Sequence, residues 1–246
     1  MRRLFPDAEA DVDPAEAYGR LPPAVEGRPA VRLNMIASLD GAASVAGHTA
    51  RLGGSADRTL FAVLRSLSDV ILVGAGTLRA EGYGPVELDA AASVRRAALG
   101  LVGAPAIAVL TRSCRLDWQA PLFGKADQRP LIVTSDSSDA ADRASAQAVA
   151  DVIVAGDTAV DLPVAMGCLA DRGVANVLAE GGPHVSAQLA AAGLLDELCL
   201  TLAPQLVAGH AGRILDGPQL EQSAALELCH VLESDSYLFL RYRRPV

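Results

Sequence analysis

Glu180-Gly181-Gly182-Pro183-His184 sets a carboxylate, two residues without side chains and a helix-opening proline in a row. The run follows the apolar stretch Asn176–Ala179 and opens a helical stretch, His184–Ala192. Glycine lets a ligand approach the backbone, and a helix start offers free N–H groups and a positive dipole end to a diphosphate. An ordinary strand-to-helix turn reads the same way, so a second sign is needed. Gly74-Ala75-Gly76-Thr77 supplies it, again after an apolar run, Asp69–Val73, and ahead of a polar turn. It lacks the third glycine of the Rossmann fingerprint, so a regular Rossmann domain is not indicated. Two glycine loops at strand ends suggest a dinucleotide lying across the sheet edge. Thr111-Arg112-Ser113 follows a third apolar run, Ala106–Leu110. A guanidinium between two hydroxyls suits the 2′-phosphate that separates NADPH from NADH, the plain alternative being a solvated loop arginine.

Arg51, Arg58, Arg65 and Arg79 gather around the first long helix and the Gly74 loop. Arg58 and Arg65 are seven apart and share a helix face. In a chain of net charge −8 this local excess of positive charge is a place for a substrate phosphate. Asp40, Glu81 and Glu180 each fall just after a strand or its glycine loop, where a catalytic acid belongs. Three acids on one face would orient substrate hydroxyls, bind a pyrimidine edge or relay a proton during hydride transfer. Asp40 as a turn cap and Glu180 as an acceptor of backbone N–H bonds are the structural alternatives. The four histidines show no metal-ligand spacing, and His184, inside the glycine loop, is expected as a cofactor contact.

The elements that must hold these groups follow from the apolar pattern. Ala30–Ala37, Asp69–Val73, Ala106–Leu110, Pro130–Val133, Val152–Val154 and Asn176–Ala179 read as buried strands. Ser55 is expected to cap a helix through Ser68, with Leu60, Phe61, Val63, Leu64 and Leu67 inward. Further helices are expected near Ala90–Leu99, Asp139–Val149, Asp161–Arg172 and His184–Ala192. Continuous apolar strands alternating with helices predict an α/β fold with a mostly parallel sheet covered on both faces. Glu197–Ala203, Ala225–Leu232 and Tyr237–Tyr242 follow one another without long helices, which predicts antiparallel pairs at one edge. Residues 1–28 read as an N-terminal arm with one short helix at Pro14–Tyr18, and residues 29–246 as the domain.

Composition narrows the classes. With 51% hydrophobic and 4% aromatic residues, the core is filled by Val, Leu, Ile and Ala. The acidic balance disfavours nucleic acid and anionic lipid as partners. Cys114, Cys168, Cys199 and Cys229 stand singly, so neither a zinc site nor a disulfide framework is expected, and a reduced, cytoplasmic protein is. No signal peptide or membrane-spanning run is read in the chain.

Four ordered motifs carry a resemblance. Asn34-Met35-Ile36-Ala37-Ser38-Leu39-Asp40-Gly41, Asp69–Thr77, Leu178–Pro183 and Leu195-Asp196-Glu197-Leu198 with Ala203-Pro204 resemble the pyrimidine reductases of riboflavin biosynthesis. That family includes the reductase domain of the bifunctional RibD-type deaminase-reductases, and the likeness spans roughly residues 29–243. It implies a dihydrofolate-reductase-like mixed sheet, a homodimer, and NADPH-driven reduction of an aminopyrimidine ribosyl phosphate to its ribityl form. By motif it places Gly74, Thr77, Gly181, Gly182, Pro183, His184, Val185 and Ser186 on NADPH, joined here by Met35, Gly76, Thr111 and Arg112. Asn34, Asp40, Thr49, Arg65 and Glu180 would surround the substrate, with Ser38, Arg51 and Arg79 beside them. Asp40, Glu81 and Glu180 are the candidate catalytic acids, and no metal is expected.

Two departures stand out. Leu78-Arg79-Ala80-Glu81-Gly82-Tyr83-Gly84-Pro85 replaces an aspartate pair before a proline, so Arg79 and Tyr83 change the pocket wall. No His-x-Glu followed by Pro-Cys-x-x-Cys is present, which excludes zinc deamination by this chain. The rival readings are a dihydrofolate reductase on the same fold, with Asp40, Glu81 or Asp57 as its acid, and a non-catalytic dinucleotide-binding module.

Overall fold

Short runs of Val, Ile, Leu and Ala have no polar face to show to water, so they settle as strands buried on both sides. In the computed structural model, which describes residues 1–22 and 27–245, these are β2 (Ala30–Ser38), β3 (Val70–Gly74), β4 (Ala106–Leu110), β5 (Leu131–Thr134), β6 (Asp151–Val154) and β7 (Asn176–Ala179). The tail forms β8 (Glu197–Ala203), β9 (Glu227–Ser234) and β10 (Tyr237–Arg243), and a further strand, β1 (Arg2–Phe5), lies at the start. All ten join one sheet in the order β1-β9-β10-β8-β2-β7-β3-β4-β5-β6. β8 through β6 run parallel, and β10, β9 and β1 add antiparallel, as expected for a mostly parallel sheet with an antiparallel C-terminal part.

Alternate residues of each strand feed two cores. Ile71, Val73, Ile107 and Val109 pack on one face with α2 (Ser55–Ser66), while Val70, Leu72, Ala108 and Leu110 pack on the other with α7 (Leu162–Ala170) and α8 (Pro183–Ala191). The remaining helices are α1 (Pro14–Tyr18), α3 (Ala75–Glu81), α4 (Ala90–Ala98), α5 (Pro121–Lys125) and α6 (Ala140–Val149). Asp13, Asp89, Asp139 and Asp161 cap α1, α4, α6 and α7, each accepting a first-turn N–H. Two local expectations are corrected. Gly54, not Ser55, is the N-cap of α2, and the Ser55 hydroxyl instead donates to Asp235 at 3.1 Å. Gly74-Ala75-Gly76-Thr77 is not a glycine loop ahead of a polar turn, because α3 starts directly at Ala75.

The expected arm is laid onto the sheet of its own chain. β1 pairs with β9, Tyr18 is buried, and the Leu21 N–H donates to the Asn176 side chain at 2.8 Å. Residues 23–26, within that arm, and residue 246, at the end of the expected domain, lie outside the described residues. The segment is held from below by a buried ionic cluster. Arg32 and Arg241 donate to opposite oxygens of Glu197 at 2.5 and 2.7 Å. They also donate to the carbonyls of Ala17, Tyr18 and Gly19 at the end of α1. Burial opposes the Glu197 charge, but the two guanidiniums outweigh it and hold the carboxyl below its usual range.

His230 lies under the same helix, edge-on to Tyr18 with ring centroids 4.7 Å apart. Burial, with Arg241, Arg3 and Arg243 adding to it against Glu197, lowers its imidazole to about 4. The folded chain therefore resists a proton that the unfolded chain accepts near pH 6.5, so stability falls as pH drops from about 6.5 to about 4. Urea midpoints measured at pH 7 and pH 4.5 should differ less in His230→Gln than in the wild type. An unchanged gap would remove His230 as a source of acid sensitivity.

Candidate active site

The cleft is made by unequal strand lengths. β7 ends at Ala179, opposite Leu33 of β2. β2 runs on from Asn34 to Ser38, paired there only with β8. β3 likewise passes the last β7 partner, since Leu72 faces Ala179 and Gly74 lies two residues beyond. The sheet is thus open between β2 and β3 past the carboxyl end of β7, the region where open α/β sheets take ligands. Asn34 and Met35 stand on one side of the opening, Gly74 through Thr77 on the other, and Glu180-Gly181-Gly182 at its base.

The base is closely packed. Gly74 N–H donates to Gly181 O at 2.8 Å, joining the two glycine motifs directly. A Cβ on Gly182 would come within 2.4 Å of the Thr77 hydroxyl, and one on Gly74 within 2.9 Å of Val185. Gly181, at φ +83°, would bring a Cβ to 3.2 Å from Met35 sulfur. At these three glycines side chains of the same protein already fill the space a Cβ would take, whereas Gly76 opens onto free space. The Gly181–Gly182 peptide is cis.

Two helices start at this base without a side-chain cap. Gly74 precedes α3 and Gly182 precedes α8, and neither start receives a side-chain acceptor. Their first-turn N–H groups have no acceptor of the kind that aspartate supplies to α1, α4, α6 and α7. Free N–H groups beside a helix dipole suit the phosphates of a dinucleotide, so the donor set fits such a group. Around the ends of β4, β5 and β6, a groove of about 320 Å³ is lined by Arg112, Ser113, Arg115, Ser137 and Thr158 together with Asp139 and Asp142. Arg112 is exposed there, while Arg115 is paired with Asp142 at 2.9 Å and Thr111 is buried.

The acids and arginines resolve into distinct pairs. Glu180 does not accept backbone N–H bonds through its side chain. It is gripped by Arg65 through Nε at 2.7 Å and Nη2 at 2.8 Å, and Tyr83 donates to its Oε2 at 2.7 Å. Its side chain is only 2% exposed, against 21% for Arg65. Arg65 lies over the Phe61 ring at 4.1 Å, so Phe61, expected inward, instead carries the guanidinium at half burial. Burial alone would lower the Arg65 pKa, but the Glu180 carboxylate reverses this and raises it.

Asp40 turns away from a lone acid's role. Its carboxylate accepts from the Ser38 hydroxyl, from Val207 N–H at 3.2 Å and from Ala208 N–H at 2.7 Å. These bonds, Ser38 first, hold its pKa down to about 2. Asp40 thereby ties the long β8–β9 connection to the end of β2. The same connection reaches the start of α8, where Asp216 N–H donates to Pro183 O and the His184 ring meets Asp216 O at 2.7 Å. Glu81 accepts Thr49 N–H at 3.0 Å, linking α3 to the loop between β2 and α2. Arg51, Arg58 and Arg79 are exposed, with no side-chain hydrogen bond among the described residues. The expected arginine cluster thus divides into one inward guanidinium and three free ones. Ser186 donates to its neighbour Gly182 O at 3.3 Å and lies 3.6 Å from Met35 sulfur.

Sequence reasoning put Tyr83 in the pocket wall without its partner Glu180, and missed Phe61 beneath Arg65 and Asp216 on His184. The i, i+4 spacing of Phe61 and Arg65 was the one local sign of the latter two.

Together these features define an α/β domain whose mixed sheet opens in its middle, past the end of β7. The chain belongs to the RibD C-terminal domain family, whose profile matches residues 29–240. It is 28% identical over 199 residues to the 2,5-diamino-6-ribosylamino-4(3H)-pyrimidinone 5′-phosphate reductase of Methanothermobacter thermautotrophicus, covering 80% of this chain and 88% of that protein. The enzyme of the same name from Archaeoglobus fulgidus is 27% identical over 202 residues, covering 81% of this chain and 92% of the relative. Among solved structures, a pyrimidine reductase-like protein from Corynebacterium diphtheriae superposes with a TM-score of 0.82 at 29% identity, covering 96% of this chain and all of that one. Among the described residues no helix is long and apolar enough to cross a membrane.

Proposed function

We propose that this chain is an NADPH-dependent reductase of a ribosylaminopyrimidine phosphate, converting the ribose to the ribityl form. The observation that carries the cofactor is the pair of adjoining helix starts at Gly74 and Gly182, both without side-chain caps. A reduced nicotinamide held there would supply the hydride for the sugar carbon attached to nitrogen, taken as the ring-opened imine. The first-turn N–H groups of α3 and α8 would hold the diphosphate. Arg112, with Ser113, would meet the 2′-phosphate in the groove at the end of β4.

The substrate side falls to the other edge of the cleft. Arg51, Arg58 and Arg79 are free cations for a ribosyl phosphate in a chain of net charge −8. Asn34 on β2 and Thr49 on the β2–α2 loop offer hydrogen bonds to the pyrimidine and sugar. Asp40 and Ser38 keep the β8–β9 connection against this edge. The two archaeal relatives favour the diamino pyrimidine over its deaminated uracil counterpart as substrate. They also favour this reaction over dihydrofolate reduction or cofactor binding without turnover.

A cytoplasmic homodimer completes the reading. Leu198, Leu200 and Leu202 of β8 lie beside Tyr242, Leu240 and Leu238 of β10 on one half-exposed sheet face. A second copy laid on this face would remove it from water.

Purified protein should oxidise NADPH with the diamino ribosylaminopyrimidine phosphate and leave it intact with dihydrofolate. In sedimentation the same preparation should show twice the chain mass. Turnover with dihydrofolate alone would replace the substrate, no dinucleotide binding would end the whole reading, and a monomer would end the dimer.

A further inference from the structure

Residues that fix a functional side chain without touching a ligand can be recognised by what they leave it free to do. Glu180 occupies the Nε and Nη2 edge of Arg65, and the carboxylate itself is almost wholly covered. The Phe61 ring lies under the guanidinium at 4.1 Å and the Tyr83 ring stands 5.5 Å from it. Only Nη1 has no hydrogen-bond partner among the described residues, and it is not among the buried unpaired atoms, so it is open to solvent. What the pair offers to the cleft is therefore one edge of a guanidinium whose plane and direction are already set.

We propose that Tyr83 and Phe61 are positioning residues for Arg65, which the family resemblance already puts beside the substrate: they fix its guanidinium with Nη1 toward the cleft, Tyr83 acting through Glu180. This rests on the reductase reading above. Tyr83 reaches Glu180 because α3 ends at Gly82 in the left-handed conformation, φ 64° and ψ 46°, which folds the chain back so that Tyr83 N–H meets Leu78 O at 3.2 Å. One turn of chain then makes two contacts: Glu81 with Thr49 on the β2–α2 loop, and Tyr83 with Glu180 at the end of β7. Burial beside Glu180 raises the Tyr83 pKa, so the phenol stays protonated and donating across the working pH range.

Tyr83→Phe removes the hydroxyl and keeps the ring. Calorimetry with the diamino ribosylaminopyrimidine phosphate should show binding weakened by about tenfold, the order of a hydrogen bond to a charged group, while NADPH binding stays unchanged. In turnover, kcat/KM for the pyrimidine phosphate should fall about as far, while KM for NADPH stays at its wild-type value. Phe61→Leu, which keeps Glu180 untouched, should weaken the pyrimidine in the same selective way. Wild-type pyrimidine affinity and kcat/KM in a well-folded Tyr83→Phe would overturn the proposal. A wild type that binds the pyrimidine phosphate but never oxidises NADPH would instead overturn the reductase reading and leave the binding test of Tyr83 standing.

Discussion

Glu180→Gln should lower turnover by about a hundredfold, the order expected when a reacting partner is displaced by an ångström. The substitution keeps the shape but not the charge, and the charge is what aligns Arg65. Both donors on the Nε and Nη2 edge lose their anionic acceptor, so the guanidinium is freed to rotate over Phe61. NADPH affinity should stay within a few-fold, because the α3 and α8 starts do not use the Glu180 side chain. Arg65→Met should lose as much, and the double variant little more, since residues acting as a unit are not additive. Initial rates of reduced-nicotinamide oxidation, with a melting curve to check folding, read all three variants. Unchanged kcat in Glu180→Gln would take the pair out of the active site.

Glu197→Gln is expected to cost about 3–5 kcal/mol, the toll of stranding a charge that was buried with its partner. Here two guanidiniums are stranded, Arg32 with a side chain 6% exposed and Arg241 with one 7% exposed. Against a total stability of about 5–15 kcal/mol, that loss is enough to leave part of the protein unfolded at growth temperature. Urea denaturation at neutral pH measures it directly. Replacing all three charges by Met, Leu and Met should recover much of the loss, since a well-packed apolar set of similar volume is often as stable as a buried ionic one. A single variant as stable as the wild type would show that water, not Glu197, compensates the two cations.

What the sequence made legible was whatever is decided locally. Val70–Gly74 and Val177-Leu178-Ala179 are apolar throughout, so strand and burial followed from the same residues. Asp139 and Asp161 sit where a first-turn N–H needs an acceptor, so two helix starts were placed within a residue. β1 was illegible because Arg2-Arg3-Leu4-Phe5 has no strand pattern of its own. Its state is set by backbone pairing to β9 and by ion pairs to Glu233 and Glu9. α3 was hidden because glycine at positions 74 and 76 reads as a turn, while the helix formers Leu78, Arg79, Ala80 and Glu81 carry the segment. In the site, Asp40 and Glu180 could be placed at strand ends but not partnered. Arg65 and Glu180 are 115 residues apart, and Asp40 and Ala208 are 168 apart. Such pairings come from the order in which strands assemble, which no window of sequence contains.

The early end of β7 has an implication for how this protein can change. The opening owes its existence to where a backbone ladder stops, so no particular side chain has to be kept for there to be room. Neighbouring residues are then free to be rewritten for a different guest. Lengthening that one strand, by contrast, would close the cavity whatever lined it. Insertions at residue 180 should therefore be the changes this architecture tolerates least.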